Sequence, residues 1–515
     1  MQTEYTGTEY FKAPKHFKTV RLNHEQIIQR GVNNGFGSVT ARCHGMSQNG
    51  FDHVVVRNFI TGDPRVSPIT DPQGDVYLSY LAVSASERYE RPISFPMLPG
   101  LLEIYEQHGL IPSVKEMLDR IIIVNPQFKN NEIKGHPFTD PVVLALQQFN
   151  HLGPGIFSAT FPTVDTIKSA RSLGLEIIQS ADLINANKAH LREYSKRYGI
   201  SMIFGNVIRK TDDIYKTLED LQRRNSGKVW LKIPFASGGD GVKSYQGIMS
   251  EQRLLQAIKE FRFLLKRAFE VAEFENTGIS HLWPEDSLTP FGGLVLEQDV
   301  FDAYGKEFDI TICSNALEIG FDGTVTDLGD FKQITVDGAY MGSRPIQLSE
   351  EAKLLVDANN IGTAKYVTNE LNHYGIIGTD YALVVHRPTG RTEAALELEI
   401  NQRDPISWDA QQAALKVFRR YGKVGSFINT NLVFPENITT IDQLKRFTSL
   451  NGHSFLDGKI ESGMVIPIAV RSIFTQINGA VEPIFESPVA KCIIVAENSD
   501  HCSQIRSMLA ENGVK

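Results

Sequence analysis

The chain has 515 residues, of which 42% are hydrophobic and 22% are charged, and its formal net charge is −8. This length and composition exclude a peptide hormone, a disulfide knot and a largely disordered chain, and they suggest about three domains. Because acidic residues outnumber Lys and Arg by 60 to 52, no overall basic field favours binding to nucleic acid or to an anionic membrane.

The sequence shows no pattern typical of a signal peptide, a membrane span or a cysteine pair. The N-terminus lacks the apolar stretch of a signal peptide, and no apolar run approaches the roughly 18 residues that a membrane span needs. The four cysteines, Cys43, Cys313, Cys492 and Cys502, are scattered and form no CxxC pair. We therefore expect reduced thiols and a cytoplasmic protein, with a homodimer as the default assembly.

The N-terminal third predicts an α/β domain in which helical segments alternate with short apolar runs such as Ile121–Val124. A short helix is predicted to end at Gly174, and residues 175–178 predict a strand. The next helix is predicted over residues 187–198, and it should stop at Gly199, because glycine adopts the positive φ of a helix end at little cost.

Residues 228–242 combine a predicted strand, which carries Lys232, with a glycine-rich loop over residues 237–241. Glycines let backbone N–H groups approach phosphate oxygens, and the lysine adds a positive charge, so the segment fits a nucleoside triphosphate. It is not a P-loop, since the residues after the loop predict a strand instead of a helix start. A mobile hairpin with no ligand has the same local pattern.

Helical spacing returns between Leu254 and Leu265, which predicts a helix facing the core. Strands are then predicted over residues 294–296 and 308–313. The final third predicts strands near residues 464–470 and 492–496 and a closing helix near 499–511. No residue pattern in that final third indicates chemistry.

Residues 394–403 carry the strongest chemical signal. Leu396, Leu398 and Ile400 alternate there with Glu397, Glu399 and Asn401. On a strand this period puts the apolar set on one face, against the core, and the two acids and the amide on the other face.

A second predicted strand lies upstream, and a hairpin centred on Thr389 and Gly390 would place Asp380 directly opposite Glu399. Like charges opposite each other destabilise a sheet, so the arrangement makes sense if a cation lies between them. Oxygen ligands without His or Cys favour Mg²⁺ or Mn²⁺ over zinc. An ordinary amphipathic hairpin with its polar face in water is the alternative.

Taken in order, these segments resemble the ATP-grasp superfamily of carboxylate ligases over about residues 165–405. The resemblance implies an α+β ATP-grasp fold, in which two α+β subdomains grip ATP. An α/β pre-ATP-grasp N-terminal domain would precede them and a small α/β C-terminal region would follow. The implied boundaries are residues 1–180, 181–295, 296–420 and 421–515.

The resemblance also implies a role for each matching residue. The nucleotide phosphates would be bound by two lysines and the glycine-rich loop, namely Lys188, Lys232, Ser237, Gly238, Gly239 and Gly241. The hinge residues Glu297, Gln298 and Val300 would lie along adenine, and Glu307 would bind the ribose. The metal ligands would be Asp380, Glu399 and Asn401, and Arg403 would contact the phosphoryl group or an acyl phosphate.

Two further residues belong to the predicted site. Glu399 lies 19 positions after Asp380, a longer spacing than the resemblance implies, so Glu397 is an additional or alternative ligand. Arg344 is predicted to contact phosphate or a substrate carboxylate, whereas a surface salt bridge is the alternative for it and for Lys332, which we do not assign to the site.

Within the superfamily, the segments around residues 170–177 and 187–200 look like peptide and amino-acid ligases of the pheganomycin type. The implied reaction uses ATP and Mg²⁺ or Mn²⁺ to join a small carboxylate to an amine through an acyl phosphate. The chain lacks the Met-Lys-Met segment that carries biotin in carboxylases. A nucleotide-binding regulatory protein and an ATP-dependent carboxylase are the competing interpretations.

Overall fold

A computed structural model describes residues 13–21, 39–44, 53–58, 98–110, 113, 121–124, 128–129, 132–133, 156–157, 176–177, 188–224, 227–234, 242–247, 250–271, 287–290, 292–336, 339–402, 405–435, 438, 441–450, 453–455, 458–471 and 489–514. Among these residues no helix has the length and apolar character needed to cross a membrane.

The strands within the described residues follow one another as β1 Lys18–Arg21, β2 Val39–His44, β3 His53–Asn58, β4 Ile121–Val124, β5 Phe128–Lys129, β6 Glu132–Ile133, β7 Ile156–Phe157, β8 Glu176–Ile177, β9 Gly205–Ile208, β10 Lys228–Lys232, β11 Val242–Gln246, β12 Leu294–Gln298, β13 Phe308–Ile319, β14 Thr324–Val336, β15 Ala339–Pro345, β16 Gly375–His386, β17 Thr392–Asn401, β18 Ser426–Val433, β19 Ser449–Leu450, β20 His453–Ser454, β21 Met464–Arg471 and β22 Val489–Ala496.

The helices in the same part of the chain are α1 Leu98–Gln107, α2 Lys188–Tyr198, α3 Thr211–Arg223, α4 Glu251–Val271, α5 Val300–Tyr304, α6 Glu350–Glu370, α7 Ile406–Tyr421, α8 Ile441–Thr448 and α9 Ser499–Glu511. The predicted end of α2 is confirmed, since Gly199 follows it with a φ of 71°. The predicted helix ending at Gly174 lies outside the described residues.

The chain divides into two compact units, each made of several segments. Unit one comprises Met1–Arg21, Ile178–Leu328 and Leu348–Gln402, and unit two comprises Leu22–Ile177, Gly329–Gln347 and Arg403–Lys515. The four consecutive domains expected from the sequence remain a prediction.

The first part of unit one is a small antiparallel sheet covered by helices. Its strand order is β11-β10-β12-β9. Apolar residues of α3 and α4, including Ile214, Leu218, Leu254 and Ile258, are buried against this sheet. Burial of this apolar face stabilises the sheet and fixes β10, which carries Lys232, and β12, which carries Glu297.

The second part of unit one is a larger sheet, in which the order β17-β16-β13-β14 is found and β1 pairs in parallel with β14. Apolar residues of α2 and α6 form a core with β13 and β16, and this core includes Leu191, Val367, Leu317 and Ile377. A further cluster contains Val300 together with Ala382 and Leu396.

Unit two contains the strand order β15-β18-β22-β21, and the last part of β14 pairs antiparallel with β15. Helix α9 packs on β18 and β22, and it buries Cys502, Ile505 and Leu509. A separate mixed sheet has the order β4-β3-β2-β7-β8. The α+β class predicted from the sequence is confirmed.

Three of the four cysteines have side chains that the structure describes. Cys313, Cys492 and Cys502 are buried and form no disulfide. Burial raises the pKa of the Cys502 thiol to about 12. A thiol with so high a pKa is protonated at neutral pH and is a poor nucleophile.

Candidate functional site

The predicted hairpin is formed by β16 and β17, which pair antiparallel in unit one. Asp380 lies directly opposite Glu399, as the sequence predicts, and Asn401 lies opposite Gly378. Gly390 occupies the turn with a φ of 67°, a conformation that glycine adopts without strain. The register of the two carboxylates is therefore confirmed.

A β-bulge interrupts this pairing beside the two carboxylates. Asp380 pairs with Glu399, whereas the next residue, Tyr381, pairs with Glu397, so Leu398 is the extra residue. Consecutive residues of a strand point to opposite faces, and cross-strand partners share a face. Glu397 therefore lies on the opposite face from Glu399. The expectation of a single acidic face is wrong for Glu397.

The surroundings of Glu397 are those of an interior side chain. The residue is only 1% exposed, its backbone N–H donates to the carbonyl oxygen of Ser201 at 2.7 Å, and its Oε1 atom has no hydrogen-bond partner among the described residues. Burial, with a smaller contribution from the charge of Asp380, raises the pKa of the Glu397 carboxyl well above its usual range. We therefore do not retain Glu397 as a metal ligand.

Glu399 lies in a different environment. Its side chain is 30% exposed, and the Nζ atom of Lys188 is 2.9 Å from its Oε1 atom. Lys188 is the first residue of α2, and its backbone N–H donates to the carbonyl oxygen of Pro234 at 3.2 Å, just beyond the end of β10. On the other side, Asn401 Nδ2 is 3.4 Å from Asp380 Oδ2. Four of the predicted site residues thus lie together, and the Lys188 ammonium offsets the repulsion between the carboxylates.

The donor set fits a hard divalent cation. Asp380, Glu399 and Asn401 offer two carboxylates and one amide oxygen on one face of the hairpin. Within the described part of the chain, no group of three or more His, Cys, Asp and Glu side chains is placed to hold a metal. Mg²⁺ commonly takes only one or two protein carboxylates and completes its shell with waters and substrate phosphates. The three residues are therefore suited to a nucleotide-bound Mg²⁺ and not to a metal held by protein ligands alone.

A second charged centre surrounds Glu297 on β12. Glu297 is 3% exposed, and its carboxylate forms ion pairs with Lys232 and with Arg192. Arg192 also donates to the carbonyl oxygen of Ile203. A carboxylate taken out of water needs such compensation, because an isolated buried charge costs several kcal/mol.

Sequence reasoning missed Arg192. It lies four residues after Lys188 on α2, and residues at this spacing share a helix face. That face directs Lys188 to Glu399 and Arg192 to Glu297. The spacing was visible in the sequence, but the partner of Arg192, 105 positions further along the chain, was not.

The hinge residues around Glu297 are held in the interior. The Gln298 N–H donates to the carbonyl oxygen of Phe204 at 2.9 Å, and Val300 is buried against the β16–β17 hairpin. The carboxylate of Glu297 is paired with two cations, Lys232 and Arg192. The adenine contacts of Glu297, Gln298 and Val300 remain a prediction.

Asp299, which follows Gln298, anchors this hinge, and the sequence reasoning assigned it no role. It is 2% exposed and caps α5 by accepting from the Phe301 N–H at 2.9 Å. It also accepts from Trp230 Nε1 at 2.7 Å and pairs with Lys228 Nζ at 3.3 Å. These bonds tie the start of α5 to β10.

Glu307 lies apart from the carboxylate pair. It is exposed in the turn before β13, where its carbonyl oxygen accepts from the Arg387 N–H at 2.9 Å. Ser314 is the cross-strand partner of Asp380 on β13. Seven residues of strand separate Glu307 from Ser314, which corresponds to about 23 Å. A role at the ribose remains a prediction.

The remaining predicted residues fall into two groups. Ser237, Gly238, Gly239, Gly241 and Arg403 are outside the described residues. The loop that contains the first four joins β10 to β11, whose ends pair as Lys232 with Val242. Arg344 belongs to unit two, where its Nη1 atom donates to Ser499 Oγ at 3.1 Å.

Comparison with known proteins gives matches among solved structures only. No family model and no curated protein matches the chain. A biotin carboxylase from Campylobacter jejuni, solved with a β,γ-ATP ligand, is 12% identical, with a TM-score of 0.46 over 76% of this chain and 80% of that one.

Two further structures illustrate the range of these matches. The biotin carboxylase domain of Hydrogenobacter thermophilus 2-oxoglutarate carboxylase, solved with MgADP and bicarbonate, is 14% identical, with a TM-score of 0.42 over 68% of this chain and 71% of that one. The N5-carboxyaminoimidazole synthetase of Staphylococcus aureus, solved with ADP, is 12% identical, with a TM-score of 0.40 over 71% and 83%. Such low identities and TM-scores leave the function to be inferred from the chain's own residues.

Proposed function

We propose that the chain is an ATP- and Mg²⁺-dependent carboxylate–amine ligase. The observation that carries this proposal is the placement of Asp380 directly opposite Glu399, with Asn401 on the same face and Lys188 in contact with Glu399. Like charges in that register favour a nearby cation, and the lysine that pairs with Glu399 is the lysine that the ATP-grasp resemblance assigns to the phosphates.

The residues of the site would have two roles, metal binding and neutralisation of phosphate charge. Asp380, Glu399 and Asn401 would hold Mg²⁺, which would neutralise charge on the nucleotide phosphates. Lys188 and Lys232 supply two further positive charges, and each is already oriented by a glutamate, Lys188 by Glu399 and Lys232 by Glu297. Such pre-orientation stabilises the transition state without reorganisation at the moment of reaction.

The chemistry then proceeds in two balanced steps. A substrate carboxylate oxygen attacks the γ-phosphorus of ATP, which forms an acyl phosphate and releases ADP. The nitrogen of an amine attacks the acyl carbon, loses a proton, and displaces phosphate to form an amide. The finer part of the proposal, taken from the resemblance, is that the carboxylate is an amino acid or peptide, that the glycine-rich loop closes over the phosphates, and that Arg403 holds the acyl phosphate.

The direct test traps the acyl phosphate with hydroxylamine. Pools of amino acids and dipeptides are offered as carboxylates, and hydroxamate is measured with and without ATP and Mg²⁺. Glu399→Gln is the inactivating variant and Glu397→Gln is the matched control on the same strand. We expect hydroxamate from the wild type and from Glu397→Gln but not from Glu399→Gln.

Other outcomes would redirect the assignment. ATP binding without substrate-dependent ADP release would favour a regulatory protein. ADP release that depends on bicarbonate, and not on any amino acid or peptide, would favour a carboxylase, the activity type named for several of the matching structures.

A further inference from the structure

A cavity of about 590 Å³ lies within unit two, beside α9 and the strands β14, β15 and β18. Three basic side chains line it, Lys332, Arg344 and Arg506, and none of the described lining residues is acidic. The chain as a whole has a net charge of −8, so this concentration of positive charge runs against the composition of the protein.

The register of the sheet forces two of these charges together. Lys332 on β14 and Arg344 on β15 are direct cross-strand partners, and therefore they share a face. Like charges in this position destabilise a sheet, for the same reason that applies to Asp380 and Glu399. A bound anion would relieve this repulsion, as a cation would between Asp380 and Glu399.

Among the described residues, no acidic side chain pairs with these three basic groups. Lys332 and Arg506 have no ion-pair or hydrogen-bond partner among the described residues. Arg344 bonds only to a neutral hydroxyl, Ser499 Oγ at 3.1 Å. Each guanidinium keeps N–H groups that can donate to carboxylate or phosphate oxygens.

The rest of the wall is largely apolar and includes Met341, Ile428 and Leu432. A volume in this range is typical of small-molecule sites and exceeds what a single inorganic ion fills. We propose that this cavity binds a small organic anion, whose carboxylate or phosphate oxygens contact Lys332, Arg344 and Arg506 while its carbon skeleton packs on the apolar wall. All of the described lining residues belong to unit two.

The test is calorimetric titration of the full-length protein with citrate and with glycerol 3-phosphate, using glycerol as the uncharged partner of the latter. The cavity variant is Lys332→Gln combined with Arg506→Gln. Its matched control is Arg446→Gln combined with Lys459→Gln, which removes two exposed charges from the same unit. A Lys188→Gln and Lys232→Gln double variant reports any anion bound in unit one instead.

We expect at least one anion to bind the wild type and glycerol not to bind. The cavity variant should lose affinity by about tenfold or more, since each lost charge-assisted hydrogen bond is worth about a factor of ten. Both other double variants should bind as the wild type does. Binding of citrate alone would identify a carboxylate ligand, and binding of glycerol 3-phosphate alone a phosphate ligand.

Four outcomes would each overturn the proposal. They are equal binding by all variants, a loss confined to the Lys188 and Lys232 variant, glycerol binding as tight as that of glycerol 3-phosphate, and no binding of either anion at millimolar concentration. Thermal unfolding without ligand serves as the folding control. The cavity variant should unfold at or above the wild-type temperature, because it removes like-charge repulsion. The single variants Lys332→Gln and Arg506→Gln are titrated as well, so that the proposal can still be tested if the double variant does not fold.

Discussion

The two faces of β17 place two glutamates in opposite environments within three residues of chain. Glu399 is partly exposed and pairs with Lys188, whereas Glu397 is buried with its pKa raised by desolvation. A single extra residue, Leu398, separates them by switching the face to which the strand directs its side chains. Two glutamates that are two positions apart therefore lie in different environments because of the local backbone.

Glu297 extends the comparison. It is nearly as buried as Glu397, at 3% against 1% exposure, but it has two cationic partners, Lys232 and Arg192. Burial alone therefore does not decide whether a carboxyl group can carry its charge. The partner decides, because only a nearby cation repays the cost of desolvation.

The largest effect on stability at neutral pH is expected from breaking the buried centre. Arg192→Met leaves Glu297 with one cation instead of two, and the loss of this charged hydrogen bond should lower the free energy of unfolding by about 2–3 kcal/mol. Urea denaturation measures this loss. Arg197→Met is the matched control on the same helix, because Arg197 is 68% exposed and its pair with Glu370 is 3.3 Å long. The control should change stability by less than about 1 kcal/mol. Equal losses in the two variants would contradict the role of the buried centre.

The second prediction concerns His373, a buried side chain that, like Glu397, has no ion-pair partner among the described residues. Burial lowers the pKa of His373 from 6.5 to about 4. The unfolded chain then binds the proton more readily, so stability should fall as the pH is lowered from about 6.5 towards 4, by roughly 3 kcal/mol in total. His373→Gln should remove this part of the pH dependence. Parallel wild-type and variant curves of unfolding free energy against pH would show that His373 does not contribute.

The third prediction compares the two glutamates of β17 directly. If Glu399 is a metal ligand as proposed, Glu399→Gln should lower ATP-dependent turnover by about a hundredfold or more, because a charge is lost from the proposed metal site. Glu397→Gln changes a buried side chain on the other face of the strand, whose carboxyl pKa is raised by burial, and should stay within a few-fold of the wild type. Initial-rate measurements of ADP release decide between them. Similar losses in both variants would place both glutamates in the site and contradict the division of the strand into two faces.

The smallest effect concerns Lys188, the cation that pairs with Glu399. Lys188→Met removes the charge that offsets the repulsion between Asp380 and Glu399. Mg²⁺ without nucleotide should then stabilise the variant more than the wild type, by about 1 kcal/mol or less. The rise of the unfolding temperature with Mg²⁺ concentration measures this difference. An identical rise in both proteins would show that Lys188 does not substitute for the metal.

Much of this architecture follows from local sequence patterns. The α2 helix and its end at Gly199, the β10 and β11 strands, and the register of Asp380 opposite Glu399 were predictable, because helix caps, period-two alternation and turn position are local signals. The bulge at Leu398 was not, since a period-two pattern assumes an uninterrupted strand and carries no sign of one extra residue.

Long-range partners were equally out of reach of the sequence. Nothing near Arg192 indicates that its guanidinium meets Glu297 across 105 positions, and nothing near Lys332 indicates that Arg344 lies opposite it. Such contacts depend on how sheets and helices pack, which a single sequence read by local pattern does not specify.

The most direct test of the proposed metal site measures how substitution of Glu399 or Glu397, on the two faces of β17, changes metal–nucleotide binding. Mn²⁺ replaces Mg²⁺, and electron paramagnetic resonance follows the binding of Mn·ATP to the wild type, Glu399→Gln and Glu397→Gln. The account predicts that Glu399→Gln weakens binding by about tenfold or more while Glu397→Gln binds as the wild type does. Weakening by Glu397→Gln with unchanged binding by Glu399→Gln would contradict it.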